Sequence, residues 1–144
     1  MEPDWSSLES AARAAFPRAY APYSRFAVAS AIQFADGAIV AGVNVENASY
    51  PLSLCAERAA VAAGLAGGHG AVLAVLVLTD AAEPTPPCGG CRQVLAEHGA
   101  SEVPVRSLTL QGRTAEHRLG ALLPDAFHAE SLDRRNAPPP RHVW

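Results

Sequence analysis

The chain predicts an α/β domain of the layered kind, and three observations carry that prediction. The segment VLAVLVLT at 72–79 is an unbroken apolar run, as expected for a strand covered on both faces. Stretches with helical spacing flank it at 56–66 and 88–98. Two β-rich stretches joined by a tight turn precede them, so after a leading helix the order reads ββαβαβ.

Asp4 is a suitable N-cap for the leading helix, which carries Trp5, Leu8, Ala12, Ala15 and Phe16 on one stripe and is ended or kinked by Pro17. Residues 26–34 (FAVASAIQF) and 39–45 (IVAGVNV) read as strands around a turn at Asp36-Gly37. A loop over 46–54 leads into a helix at 56–66 (AERAAVAAGLA), stopped by Gly67-Gly68. After the apolar strand, Pro84, Pro86 and Pro87 turn the chain into a helix from Cys88 to His98, closed by Gly99. Residues 103–110 (VPVRSLTL) form another strand, Gln111-Gly112 a turn, and Leu119 to Phe127 a helix broken at Pro124. Residues 1–135 thus make one domain, and 136–144 (NAPPPRHVW) a proline-rich tail that is expected to be extended.

At 144 residues the chain is long enough for one real core, and at 49% hydrophobic but only 6% aromatic it must pack small side chains closely. A net charge of -3 gives no electrostatic footprint for nucleic acid or a membrane surface. The absence of lysine removes Schiff-base chemistry and the lysine-dependent phosphate loop. The acidic opening Met1-Glu2-Pro3-Asp4 lacks the basic region of a secretory signal, and the apolar run from Ala71 to Leu78 is too short to span a bilayer. The expectation is a soluble, cytoplasmic protein.

The three cysteines fall into two motifs, Cys55-Ala56-Glu57 and Pro87-Cys88-Gly89-Gly90-Cys91. Three thiolates occupy three corners of a tetrahedron and leave the fourth to water, the arrangement of a catalytic zinc, one ion per chain. Zinc deaminases combine a Cys or His ligand, a nearby Glu that does not bind metal, and Pro-Cys-x-x-Cys. A Cys-x-x-Cys alone also fits a redox pair or half of a structural zinc site. A redox pair leaves Cys55 and Glu57 unexplained, and a structural site lacks its usual fourth donor near either motif. His128-Ala129-Glu130 matches the His-x-Glu form of the signature, but it follows the Pro-Cys-x-x-Cys and would orphan Cys55.

Both cysteine motifs open helices, where the partial positive charge lowers thiol pKa and steadies thiolates. Three thiolates on one Zn²⁺ leave a net charge of -1 and weaken it as a Lewis acid, which Arg58, and less directly Arg92, are candidates to offset by hydrogen bonding to sulfur. Glu57 is placed to take a proton from water and relay it. An acidic residue in a helix's first turn is otherwise an ordinary dipole-stabilising feature.

With these residues in place, the segments YAPYSRFAV, GVNVENASYPLSLCAERAA, PPCGGCRQVLAEHG and LGALLPDAF make the chain resemble the cytidine deaminase family in its small homotetrameric form, from Tyr20 to Leu132. The resemblance implies a three-layer α/β/α fold with a five-stranded mixed sheet. It implies zinc-dependent hydrolytic deamination of cytidine and deoxycytidine to uridine and deoxyuridine, a step of pyrimidine salvage. It implies that Asn44 and Glu46 bond the ribose hydroxyls, that Phe26 lines the pocket, and that the Ala56 backbone contacts the pyrimidine. Tyr50 and Phe127 look like residues lent to a neighbouring subunit's site. Pro17, Ala29-Ser30 and the tail with Trp144 depart from the family pattern, though none touches the cysteine motifs.

The nearest rival is a deaminase of the same fold acting on another aminopyrimidine nucleoside or a nucleotide. Glu46 beside the sugar disfavours further negative charge and so favours the plain nucleoside. A non-enzymatic zinc-stabilised binding domain would carry four protein ligands, and a nucleic-acid editor would need a basic, aromatic-lined groove.

Overall fold

A computed structural model of the protein describes residues 1–132, so the tail at 136–144 and Trp144 lie outside the described residues. Helix α1 spans Trp5–Ala15, and Asp4 caps it by accepting from the Ser7 N–H at 3.0 Å. Such a cap is worth about 1 kcal/mol. Strands β1 (Val28–Phe34) and β2 (Ile39–Val43) form an antiparallel pair, followed by helix α2 (Ala56–Ala66) and strand β3 (Val72–Thr79). Helix α3 (Gly89–His98), strands β4 (Pro104–Thr109) and β5 (Thr114–Arg118), and the short helix α4 (Leu119–Leu122) complete the main elements.

The five strands make one mixed sheet in the order β2-β1-β3-β4-β5, with β3 and β4 parallel and the other pairs antiparallel. Strand alternation sorts the core into two layers. Leu8 and Ala12 of α1 pack with Ala29, Ala31, Ala74, Leu76, Leu78 and Leu108 on one face. On the other face Ala60 and Val61 of α2 and Leu95 of α3 pack with Ile32, Phe34, Val75, Val77 and Val105. This is the expected α/β/α arrangement, and it explains why β3 reads as continuously apolar.

As expected, α1 ends just ahead of Pro17, at Ala15, and passes into a 3₁₀ turn, Phe16–Arg18. Other element ends differ from the sequence expectation. β1 begins two residues later than expected, at Val28, because the amide of Asn44 occupies the Val28 N–H and the Phe26 carbonyl. The helix expected over 119–127 stops at Leu122, since Pro124 cannot continue it and Asp125 adopts φ +52°. The residue pattern alone did not show β5. Its TAEHR is mostly exposed, and it exists by pairing with β4, where Arg106 Nη2 donates to Glu116 Oε2 at 2.8 Å across the register.

Two of the glycines shape the edge of the sheet at β2. Gly37 takes φ +92° in the β1–β2 turn, a conformation that favours glycine. Gly42 of β2 lies under α2: a Cβ there would come within 2.5 Å of Ala60 N and 2.6 Å of Ala56 O. The first turn of α2 is therefore seated directly on the sheet.

Candidate active site

β2 and β3 are each antiparallel to β1, so they run in the same direction, and the helices that follow them start at the same end of the sheet. This end, beyond the strands' carboxyl termini, is where open α/β sheets form their sites. Cys55 is the N-cap of α2 and Cys88 the N-cap of α3. Their carbonyls accept from Ala59 N–H and Arg92 N–H at 3.0 Å, so both helices begin in register with their motifs.

Three thiolates about 2.3 Å from a shared tetrahedral ion stand about 3.8 Å from one another. Cys55 Sγ and Cys88 Sγ are 3.8 Å apart, Cys88 Sγ and Cys91 Sγ 3.4 Å, and all three sulfurs lie within 4.8 Å of each other. No disulfide joins them. The donor set and its spacing fit a zinc ion. Burial pushes the Cys55 thiol up from its ordinary value. Burial also opposes ionisation of Cys88, but the Cys91 backbone N–H and the neighbouring thiols outweigh it and hold Cys88 below its ordinary value. Cys91, fully buried, is raised by burial first and by the nearby Glu57 charge next.

Glu57 is 4% exposed, and its Oε2 lies 3.5 Å from Cys91 Sγ. Burial raises its carboxyl above the ordinary value, because the charged form loses its hydration there. A cavity of about 290 Å³ opens over this cluster. Cys55, Ala56, Glu57 and Cys88 line it together with Phe26, Asn44 and Glu46. Sequence reasoning missed Ser24, Val77, Thr79 and Pro86, which also line it. The end position of Thr79 on a strand leading to the cysteine loop was the available signal for that residue.

Other expected residues lie elsewhere. Arg58 is exposed and makes no hydrogen bond to sulfur among the described residues. Arg92 donates to the Pro87 and Leu122 carbonyls, both at 2.8 Å, bracing the loop that carries Cys88. Tyr50 and Phe127 are 71% and 58% exposed and do not line the cavity of their own chain. Tyr50 packs edge-on to Tyr23 at 5.9 Å, and both line a second cavity that shares Ser24, Glu46 and Ser53 with the first. His128 and Glu130 line a separate, larger cavity of about 550 Å³ that contains no thiol.

A layered α/β domain with three convergent thiols and one buried carboxylate defines the class as a zinc-dependent deaminase. The family model for the cytidine and deoxycytidylate deaminase zinc-binding region matches residues 4–107, and the chain belongs to that family. It is 47% identical over 131 residues to a cytidine deaminase of Mycobacterium tuberculosis, covering 91% of this chain and 95% of the relative. A cytidine deaminase of Halalkalibacterium halodurans is 45% identical over 115 residues, covering 80% of this chain and 87% of the relative. Among solved structures, the cytidine deaminase from Burkholderia pseudomallei superposes with a TM-score of 0.81 at 44% identity, covering 85% of this chain and 98% of that one.

Proposed function

We propose that this chain hydrolyses cytidine and deoxycytidine to uridine and deoxyuridine, consuming one water and releasing one ammonia per turnover. The observation that carries the reading is the convergence of Cys55, Cys88 and Cys91 with the buried Glu57, beside a cavity of about 290 Å³ that Cys55, Glu57 and Cys88 line. When bound by the three cysteines, zinc supplies Lewis acidity, making water nucleophilic near neutral pH. Glu57 takes the proton that water loses as its oxygen attacks the ring carbon bearing the amine. It passes that proton to ring N3, and a further transfer converts the amine into departing ammonia. Burial serves this role by keeping bulk water from competing for the proton.

The Asn44 and Glu46 side chains keep hydrogen-bonding capacity for the sugar. A carboxylate offers about four acceptor positions, and Glu46 uses three of them on the Tyr23 N–H, the Ser24 N–H and the Ser24 hydroxyl. The Asn44 amide accepts from Val28 N–H and donates one hydrogen to the Phe26 carbonyl, leaving its second N–H. Together they retain two acceptor positions, one on each side chain, and one donor, enough to meet the sugar hydroxyls. Phe26 and the Ala56 backbone complete the pocket around the pyrimidine. The negative Glu46 favours a nucleoside over its phosphate.

The exposure of Tyr50 and Phe127 outside their own cavity supports a homotetramer in which these aromatics close a neighbour's site. Among the described residues no helix is long and apolar enough to cross a membrane. The setting consistent with free thiols and this activity is cytoplasmic pyrimidine salvage. The decisive test incubates purified protein with cytidine, deoxycytidine, cytosine and CMP while following loss of aminopyrimidine absorbance and zinc per chain. Turnover of the two nucleosides, with little on cytosine or CMP, is expected; preferential turnover of CMP would reject the nucleoside reading.

A further inference from the structure

The loop between α1 and β1 is fastened by hydrogen bonds to Asn44 and Glu46, two residues that line the cavity. Tyr20 N–H donates to the Asn44 carbonyl at 3.0 Å, and Glu46 N–H donates to the Tyr20 carbonyl at 2.9 Å. Arg25, a non-glycine residue, adopts φ +57°, a strained conformation of the kind that persists when its surroundings hold it. Within this loop Ser24 sits at a junction. Its hydroxyl accepts from Phe26 N–H at 3.0 Å and donates to Glu46 Oε2.

The other loop bonds to the Glu46 side chain, from Tyr23 N–H at 2.9 Å and Ser24 N–H at 3.1 Å, both go to Oε1. A carboxylate tied through one oxygen can still pivot about it. The Ser24 hydroxyl ties the second oxygen, and that oxygen carries the acceptor position left for a sugar hydroxyl. Accepting from Phe26 orients the hydroxyl and strengthens it as a donor. The Ser24 hydroxyl is also the largest influence holding Glu46 below the ordinary carboxylate range, which keeps it an acceptor.

We propose that Ser24 is a positioning residue for sugar recognition, its hydroxyl holding Glu46 Oε2 in the orientation that accepts the substrate's sugar hydroxyl. This rests on the reading of Asn44 and Glu46 as the sugar contacts. The plainer role for Ser24 is that of a turn-former, since a serine accepting from the N–H two residues on is a common loop device. A turn-former would affect every ligand alike. A positioning residue affects only ligands with the hydroxyl it serves.

The probes are cytidine and 2′,3′-dideoxycytidine, the second measured by its inhibition of cytidine turnover. Ser24→Ala should raise the KM for cytidine about tenfold with kcat nearly unchanged, the scale of one lost bond to a charged group. The inhibition constant of dideoxycytidine should stay within about twofold of wild type, and Ser24→Thr, which keeps the hydroxyl, should restore the cytidine KM to within about threefold. A parallel rise in both constants for Ser24→Ala, or no rise in either, overturns the proposal. If Glu46→Ala erases the wild-type preference for cytidine while Ser24→Ala keeps it, Ser24 alone is misassigned. If wild type shows no preference between the two probes, the sugar assignment of Asn44 and Glu46 fails and the Ser24 proposal falls with it.

Discussion

Cys91 Sγ lies 3.5 Å from Glu57 Oε2, bringing the second cysteine motif into contact with the carboxylate of the first in the protein interior. The contact sets a buried thiol beside a buried carboxylate with little room for solvent between them.

Glu57→Gln keeps nearly the same shape but cannot carry a proton at neutral pH. The variant should fold and hold zinc, while kcat falls by about 10⁴-fold, the upper end for general acid–base catalysis. A residue that only favoured the helix dipole would cost at most about 1 kcal/mol of stability and leave turnover intact. Measuring kcat, zinc content and melting temperature on one preparation separates the two, and activity within about tenfold of wild type rules out the shuttle.

Metal content provides the second check. About one zinc per chain is expected, lost on replacing Cys55, Cys88 or Cys91 by alanine. Removing it with a chelator under reducing conditions should abolish turnover, lower the melting temperature and make the three thiols titratable by a thiol reagent. Full activity after complete metal removal, or a structure with His128 on the metal, would sink the assignment.

Gly42→Ala tests whether the seating of α2 on the sheet sets the site. The new Cβ would meet Ala60 N and Ala56 O at 2.5 and 2.6 Å, backbone atoms that cannot swing aside. We expect a loss of at least about 1–3 kcal/mol in denaturant unfolding, with zinc affinity falling alongside. Gly70→Ala is the control, since nothing lies within 4 Å of a Cβ there. Equal stability of the two variants would contradict the argument.

Acid stability should register the turn between β1 and β2. The Asp36 carboxyl is held below its ordinary 3.8, first by the hydrogen bond with His69 and next by the Ala38 N–H. A depressed folded value means a contribution fully present above the ordinary value and lost as pH falls through the folded one. Wild type should therefore exceed Asp36→Asn in urea midpoint near neutrality, and the gap should close below about pH 4. A gap independent of pH would assign the effect to packing instead.

Assembly is the last check. Light scattering at assay concentration should find a tetramer, and Phe127→Ala should impair turnover without unfolding the chain. A fully active monomer would contradict the lending of Tyr50 and Phe127 to a neighbour.

The sequence by itself determined the two helix starts at the cysteines, the continuous apolar β3 and the identities of the three thiols and Glu57, because each leaves a local signature in spacing or periodicity. It could not display β5, whose polar TAEHR has no apolar alternation and becomes a strand only where β4 offers an edge. Nor could it show that Pro124 and Asp125 leave α4 only four residues long. Tertiary structure alone decided that Arg92 bonds carbonyls rather than sulfur, and that Ser24 faces Glu46 across 22 positions of chain. Such contacts depend on the direction of side chains brought together by the sheet. Local pattern encodes which residues are present at the site, while the shared direction of β2 and β3 decides that they meet.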